Sequence, residues 1–148
     1  MNPENNWLAA ADGLKIFYRC SIPPNPRAGL LLLHGYAEHS GRYGWVMERL
    51  SEAGLAVYAP DHRGHGRSAR SAARLADLES LEKVLDDLAR LRALAGQRLQ
   101  GVPWFLMGQS MGGMLAALFA LRHPEGWQGL VLSAPAVKLP PYISPLLV

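Results

Sequence analysis

The chain has 148 residues, enough for one domain with a sizeable core, and its 49% hydrophobic and 18% charged residues are typical of a globular protein. Its formal net charge of +3 is too small to indicate a nucleic-acid partner. No apolar run approaches the ~20 residues of a transmembrane helix, and the first residues lack the basic start and apolar stretch of a signal peptide, so we expect a cytoplasmic protein.

The first predicted element is a β-hairpin. Residues 6–10 and 14–20 flank the dipeptide Asp12-Gly13, which favours a tight turn between two strands. The single cysteine, Cys20, ends the second run and cannot form an intrachain disulfide. We interpret it as a small buried strand residue.

After a proline-containing loop, short apolar runs alternate with segments of helical spacing. The runs are typical of buried strands and comprise residues 29–34, 55–59, 102–107 and 129–133. The predicted helices comprise residues 43–53, a helix whose apolar face is Leu75, Leu78, Leu81, Leu85, Leu88 and Leu91, and residues 111–122. Residues 135–148 are proline-rich and predicted to be irregular. This order predicts the α/β class, with a mostly parallel sheet and helices on both faces.

The most informative motif is Gly-x-Ser-x-Gly at residues 108–112, which lies between a predicted strand and a predicted helix. That context is typical of the nucleophile elbow of serine hydrolases, a sharp turn that lifts a serine hydroxyl above the sheet edge. Ser110 is therefore the predicted catalytic nucleophile. The loops after the predicted strands at 29–34 and 55–59 should reach the same edge, where such sheets bind their ligands.

A catalytic serine needs a histidine base that a carboxylate orients. After Ser110 the sequence contains no aspartate, one glutamate, Glu125, and one histidine, His123. A helix running from the motif to His123 would separate it from Ser110 by about 18 Å, so we expect His123 to cap the helix end instead. His34 is the only histidine predicted to lie near Ser110, and we interpret it as structural.

Three segments occur in order, each after a predicted strand: residues 34–43 (HGYAEHSGRY), 61–68 (DHRGHGRS) and 108–113 (GQSMGG). Together they resemble the monoacylglycerol lipase and lysophospholipase branch of the α/β-hydrolases, also described as serine-aminopeptidase-like. The resemblance implies a serine esterase that hydrolyses monoacylglycerols or similar small acyl esters through an acyl-enzyme on Ser110. It also implies an oxyanion hole formed by the backbone N–H groups of Tyr36 and Met111.

The second segment contains an aspartate and two histidines close together, which is compatible with catalysis. We interpret Asp61, Arg63 and His65 instead as residues that hold the loop in shape through hydrogen bonds and an ion pair. The arginines of this region could form an anion-binding patch, but we favour a solvated loop face. They are Arg63, Arg67, Arg70 and Arg74.

Members of this branch continue with a cap and with two further strands that carry the acid and the histidine, whereas this sequence stops about where the cap would begin. We therefore expect residues 1–148 to form a single domain, equivalent to the N-terminal part of such a hydrolase and inactive alone. Two alternatives stay open: an enzyme completed by a second polypeptide, and a non-catalytic binding or interaction module.

The last predicted strand, Gly129–Ser133, carries no charge, and an uncovered apolar sheet edge pairs readily with other chains. A second copy of the chain or a complementary fragment is thus the predicted protein partner. No cofactor or metal motif occurs, and serine hydrolysis needs neither. We expect a small acyl ester as the ligand.

Overall fold

A computed structural model describes residues 3–137, which form one six-stranded sheet. The strands are β1 (Glu4–Ala9), β2 (Lys15–Ser21), β3 (Ala28–Leu33), β4 (Leu55–Pro60), β5 (Trp104–Gln109) and β6 (Gly129–Ser133). Their order across the sheet is β1-β2-β4-β3-β5-β6. The pairs β1–β2 and β2–β4 are antiparallel, and the other three pairs are parallel. The predicted mostly parallel sheet is confirmed.

The hairpin turn between β1 and β2 is closed locally, as its sequence predicts. The Ala10 N–H donates to the Leu14 carbonyl (2.8 Å), and the Leu14 N–H donates to the Asp12 carboxylate (3.2 Å). Gly13 has φ of +80°, a conformation that favours glycine. Cys20 is buried in β2, as predicted, and burial raises the pKa of its thiol to about 11.

Three helices cover both faces of the sheet: α1 (Gly44–Glu52), α2 (Leu81–Arg98) and α3 (Met111–Arg122). All six residues of β3 are buried, and its four leucines alternate between two cores. Leu31 and Leu33 pack with side chains of α2 and α3, whereas Leu30 and Leu32 pack with Met47 of α1. The continuous apolar run of β3 therefore reflects burial on both sides. Within residues 3–137, every helix is too short or too polar to cross a membrane.

The second helix begins later than its leucine spacing indicates. α2 starts at Leu81, because the Ser80 side chain caps it by accepting a backbone N–H at 3.2 Å. Leu75 and Leu78 lie before the helix, so the predicted helix is wrong at these two positions. Leu75 (63%) and Leu81 (38%) are also exposed, so the first buried leucine of the predicted face is Leu85. Glu79 has φ of +60°, which an α-helix of L-residues does not accommodate, and this prevents the helix from extending backwards.

The last strand, β6, pairs with β5 and with no other strand among residues 3–137. Three of its side chains are exposed on the two faces of the sheet: Leu130 at 41%, Val131 at 50% and Leu132 at 39%. The described part of the chain thus ends its sheet on an apolar strand, as predicted. The predicted irregular segment at 135–148 lies almost entirely outside the described residues.

Candidate active site

Ser110 lies at the turn between β5 and α3, at the carboxyl edge of the parallel strands. Its φ of 52° and ψ of −118° place it in a region that residues with side chains rarely occupy. Backbone hydrogen bonds hold this conformation on both sides. The Ser110 N–H donates to the Ser133 carbonyl (2.9 Å), and the Ser110 carbonyl accepts the Ala136 N–H (3.0 Å). The sharp elbow that the motif predicts is therefore present.

Two glycines make this elbow sterically feasible. A Cβ atom on Gly108 would overlap the Gly112 carbonyl oxygen, and a Cβ atom on Gly112 would overlap the Leu33 carbonyl oxygen at the end of β3. Backbone groups cannot move aside as flexible side chains do, so both positions need glycine. The two residues allow α3 to begin close to β5 and β3.

The loop after β3 lies directly against Ser110. A Cβ atom on Gly35 would lie only 3.4 Å from the Ser110 Cβ. Residues 35–38 form a tight turn in which the Gly35 carbonyl accepts the Glu38 N–H (3.4 Å), and Ala37 has φ of +55°. The structure thus brings together the two motifs in which the sequence places the nucleophile and the oxyanion loop.

The Gly35 carbonyl sets the direction of the next N–H group. It accepts hydrogen bonds from His34 Nδ1 (2.7 Å) and from the Glu38 N–H. In a trans peptide the carbonyl and the following N–H point in opposite directions, so the Tyr36 N–H is turned away from these partners. It makes no hydrogen bond with any residue of the described segment 3–137. Tyr36 therefore offers a free donor on the loop beside Ser110.

Met111 offers a second donor that has no acceptor among residues 3–137. It is the first residue of α3, and the first N–H groups of a helix have no acceptor within the helix. The Ser110 side chain does not cap them. The helix dipole adds positive potential at this end, which favours a developing negative charge. Tyr36 and Met111 thus lie on the two segments that meet at Ser110, and their N–H groups have the chemistry that an oxyanion hole requires.

His34 is held in a single neutral tautomer. Its Nδ1 donates to the Gly35 carbonyl, so its Nε2 is free to accept the His62 N–H (3.0 Å). Burial lowers the pKa of His34 to about 4. Because both ring nitrogens have backbone partners, His34 is structural, as its sequence context predicts, and it is not a base for Ser110.

The other histidines are no better placed. His123 follows α3 and packs its ring against Phe119 at 4.9 Å, far along the helix from Ser110. His39 accepts the Gly41 N–H, and His62 and His65 are buried away from solvent. No histidine of residues 3–137 forms a hydrogen bond with the Ser110 hydroxyl. Nor does any group of three acidic, cysteine or histidine side chains in that range form a metal site.

The loop at 61–68 has the structural role that its sequence predicts. The Asp61 carboxylate accepts the Ser40 N–H (2.7 Å), the Ser40 hydroxyl (2.5 Å) and the Arg67 N–H (2.8 Å). His65 Nδ1 bonds to the Arg63 carbonyl (2.7 Å). These bonds fix the loop internally and tie it to the segment before α1.

Arg63 is not part of a solvated loop face, and that prediction is wrong. Its side chain is only 2% exposed and forms a paired hydrogen bond with Asp87 of α2 (2.6 and 3.0 Å) and another with Asp12 of the hairpin turn (2.8 and 3.1 Å). Arg70 and Arg74 are exposed, as predicted. Both aspartates lie far from residue 63 in sequence, so local spacing carries no signal for this burial.

Glu38 is a residue of the site to which the sequence pattern assigns no role. Its carboxylate accepts the Gly35 N–H (3.1 Å) and the Tyr43 hydroxyl (3.0 Å) and pairs with Arg42 (3.3 Å). Gly35 and Glu38 are three residues apart in a loop, and this spacing is too common in sequences to predict a hydrogen bond between them. Only the conformation of the turn reveals it.

Residues 24–148 match the family model described as serine aminopeptidase, S33. The chain belongs to this family. Its match to the S33 model includes the turn at residues 35–38, the loop at 61–68 and the elbow at Ser110.

The chain is similar to a monoacylglycerol lipase of Mycolicibacterium smegmatis. The two are 40% identical over 95% of this chain and 50% of the relative. The human monoglyceride lipase is 37% identical over 90% of the chain and 44% of the relative. A soluble variant of the Saccharomyces cerevisiae monoglyceride lipase, solved with a substrate analogue, superimposes with a TM-score of 0.81 at 29% identity, covering 95% of this chain and 47% of that one. The predicted resemblance to this branch of the α/β-hydrolases is confirmed. The chain spans about half the length of the curated relatives it matches.

Proposed function

We propose that this chain carries the nucleophile part of a serine hydrolase that cleaves carboxylic esters of small lipids, with monoacylglycerols as the expected substrates. The observation that carries the proposal is the conformation of Ser110, held at φ of 52° between β5 and α3 and next to the Gly35 turn. The names of the relatives support the substrate class. Residues 1–148 would then be the N-terminal part of a single α/β-hydrolase domain.

The geometry supports acyl transfer through Ser110. Its Oγ attacks the ester carbonyl carbon while its proton passes to a base, and the carbonyl oxygen becomes an oxyanion. The N–H groups of Tyr36 and Met111 stabilise that charge, and each such donor contributes roughly 3 kcal/mol to the transition state. The alcohol then leaves with a proton from the base, and water hydrolyses the acyl–Ser110 ester.

The base and its carboxylate partner are expected from outside this chain. All five histidines lie in the described residues, and none is hydrogen-bonded to Ser110. After Ser110 the sequence has no aspartate. We therefore propose that residues 1–148 alone have no Ser110-dependent turnover, and that residues outside this segment supply the acid and the histidine.

The test is hydrolysis of a short-chain p-nitrophenyl ester and of a monoacylglycerol by the purified chain, alone and mixed with the C-terminal half of the Mycolicibacterium smegmatis relative. We expect turnover only in the mixture. Ser110→Ala should abolish it, whereas Ser71→Ala, at an exposed serine, should not change it. Turnover by the chain alone that Ser110→Ala removes would show that a base is present in this chain. A mixture that forms a complex but has no Ser110-dependent activity would contradict the proposed chemistry.

We also propose that the edge of β6 that no strand of residues 3–137 covers binds a further strand, from a second copy or from a complementary fragment. Its exposed apolar residues and lack of charge support this, because charged residues are the usual protection of an edge strand. Val131→Lys should reduce association, which analytical ultracentrifugation over a concentration series measures. Lys15→Ala, on the strand β2, serves as the control. A chain that stays monomeric at high concentration and melts cooperatively would refute the self-association.

A further inference from the structure

Glu38 lies at the end of the turn that carries the Tyr36 N–H, and its carboxylate reaches back to the start of that turn. We propose that Glu38 is a positioning residue for the oxyanion loop, an inference that rests on the function proposed above. It acts through Gly35, whose N–H donates to Glu38 Oε2 at 3.1 Å. The Glu38 backbone N–H closes the same turn by donating to the Gly35 carbonyl at 3.4 Å. One residue thus holds both polar groups of Gly35.

The loop needs such support because its conformation is unfavourable by itself. Ala37 has φ of +55°, where an L-residue is strained by its own Cβ. Gly35 also lies close to Ser110, since a Cβ atom at Gly35 would be 3.4 Å from the Ser110 Cβ. If the Gly35 N–H lost its acceptor, only the bonds of the Gly35 carbonyl to His34 Nδ1 and to the Glu38 N–H would restrain the turn. The peptide units around Gly35 would then rotate more freely, and the Tyr36 N–H would be directed less firmly at the position of the oxyanion.

A carboxylate near an oxyanion is normally unfavourable because the two negative charges repel each other. Here two neighbouring side chains compensate the negative charge of Glu38. Arg42 Nε lies 3.3 Å from Glu38 Oε1, and the Tyr43 hydroxyl donates to Oε2 at 3.0 Å. Burial and the neighbouring Glu38 raise the pKa of Tyr43 to about 12, so the phenol stays protonated and remains a donor. The side chain of Glu38 is only 22% exposed, so water has limited access to replace its hydrogen-bond partners. Glu38 therefore serves as a hydrogen-bond acceptor whose charge is already neutralised.

The experiment compares Glu38→Ala, Glu38→Gln and the control Glu52→Ala, which removes an exposed carboxylate that pairs with Arg49 on α1. Amide hydrogen exchange at Gly35 reports the hydrogen bond itself. Binding of an alkylboronic acid reports the oxyanion loop, because Ser110 Oγ adds to the trigonal boron, releases its proton to solvent and leaves a tetrahedral anion. This binding can be measured without turnover, with Ser110→Ala as the blank. Urea unfolding checks that each variant is folded.

Loss of a hydrogen bond to a charged acceptor should accelerate Gly35 exchange and weaken boronate binding by about tenfold in Glu38→Ala. Glu38→Gln keeps an acceptor oxygen, so its Gly35 exchange rate and its boronate affinity should stay close to those of the unchanged chain. Glu52→Ala should change neither quantity. Boronate affinity in Glu38→Ala equal to that of the unchanged chain would overturn the proposal. If the unchanged chain binds boronate no better than Ser110→Ala, both alone and mixed with the C-terminal half of the relative, the proposed function has failed separately. Unchanged Gly35 exchange in Glu38→Ala would overturn the role of Glu38 in either case.

Discussion

Ser110 and Ala37 both have positive φ at the site, and they differ in what the strain achieves. Ser110 at φ of 52° must project a hydroxyl from the elbow, and hydrogen bonds to Ser133 and Ala136 hold it there. Ala37 at φ of +55° carries only a methyl group, which no contact of the turn requires. Strain at Ser110 therefore has a chemical purpose, whereas strain at Ala37 is a cost that glycine would remove.

Ala37→Gly should accordingly stabilise the chain. Relief of the left-handed conformation is worth about 1–2 kcal/mol, and the greater freedom of glycine in the unfolded chain offsets roughly 0.5–1 kcal/mol of it. We expect a net gain of about 0.5–1 kcal/mol in the free energy of unfolding, measured with urea. Ala69→Gly, at φ of −69°, is the matched control and should destabilise the chain. An equal loss in both variants would mean that the turn at residues 35–38 is not strained.

At the scale of elements, Arg63 joins three parts of the chain. Its guanidinium contacts Asp12 of the hairpin turn and Asp87 of α2, and lies 3.5 Å from Glu79 before that helix. The hydrogen bonds from Arg63 hold the pKa of Asp12 well below its ordinary value. Burial raises the pKa of Asp87, so that carboxylate depends on Arg63 for its charge. The network fixes the edge of the sheet against α2.

Arg63→Met should cost about 3–5 kcal/mol in the free energy of unfolding, because it leaves Asp87 buried without its partner. The double variant Arg63→Met with Asp87→Leu should recover a large part of that loss. Arg49→Met breaks the exposed pair with Glu52 and should cost less than about 1 kcal/mol. Urea unfolding of the variants gives all three values. A cost for Arg63→Met no larger than that for Arg49→Met would show that the network does not stabilise the fold.

The elements that the sequence predicts well are those with a local cause. β3 and α3 follow from continuous apolar runs that end at glycine or proline, and the elbow follows from its motif. The leucine spacing predicts too early a start for α2, because the start depends on the positive φ of Glu79, whose carboxylate pairs with Lys83 and lies near Arg70. The burial of Arg63 likewise depends on partners distant in sequence. At the site, the motif predicts Ser110, but the direction of the Tyr36 N–H depends on how His34 and Glu38 hold Gly35.

For the whole molecule, buried neutral histidines make stability depend on pH. The folded-state pKa of His34 is about 4, whereas its ordinary value is 6.5, and burial also lowers the pKa of His62. Between pH 4 and pH 6.5, His34 binds a proton in the unfolded chain but not in the folded chain, so stability rises with pH in this window. The contribution is fully present above pH 6.5 and is lost as the pH falls toward 4. For His34 alone it amounts to about 3 kcal/mol.

Urea unfolding at pH 7.5, 6, 5 and 4.5 should therefore show a steady loss of stability as the pH falls. His34→Gln lacks the titrating ring and should have a shallower pH dependence, although it is less stable at pH 7.5. His123→Gln changes an exposed histidine at the end of α3 and should keep the dependence of the unchanged chain. Identical slopes for the unchanged chain and His34→Gln would contradict the assignment.

The bonds from Ser110 to Ser133 and Ala136 also have a consequence for synthesis. A chain made from its N-terminus exposes the whole Gly-x-Ser-x-Gly motif before residues 133–136 leave the ribosome. Until then the strained backbone of Ser110 lacks the two hydrogen bonds that hold it. The backbone of the nucleophile thus gains two of its hydrogen bonds late, after β3, β5 and α3 can already pack, and a nascent chain that stops short of Ser133 makes neither of them.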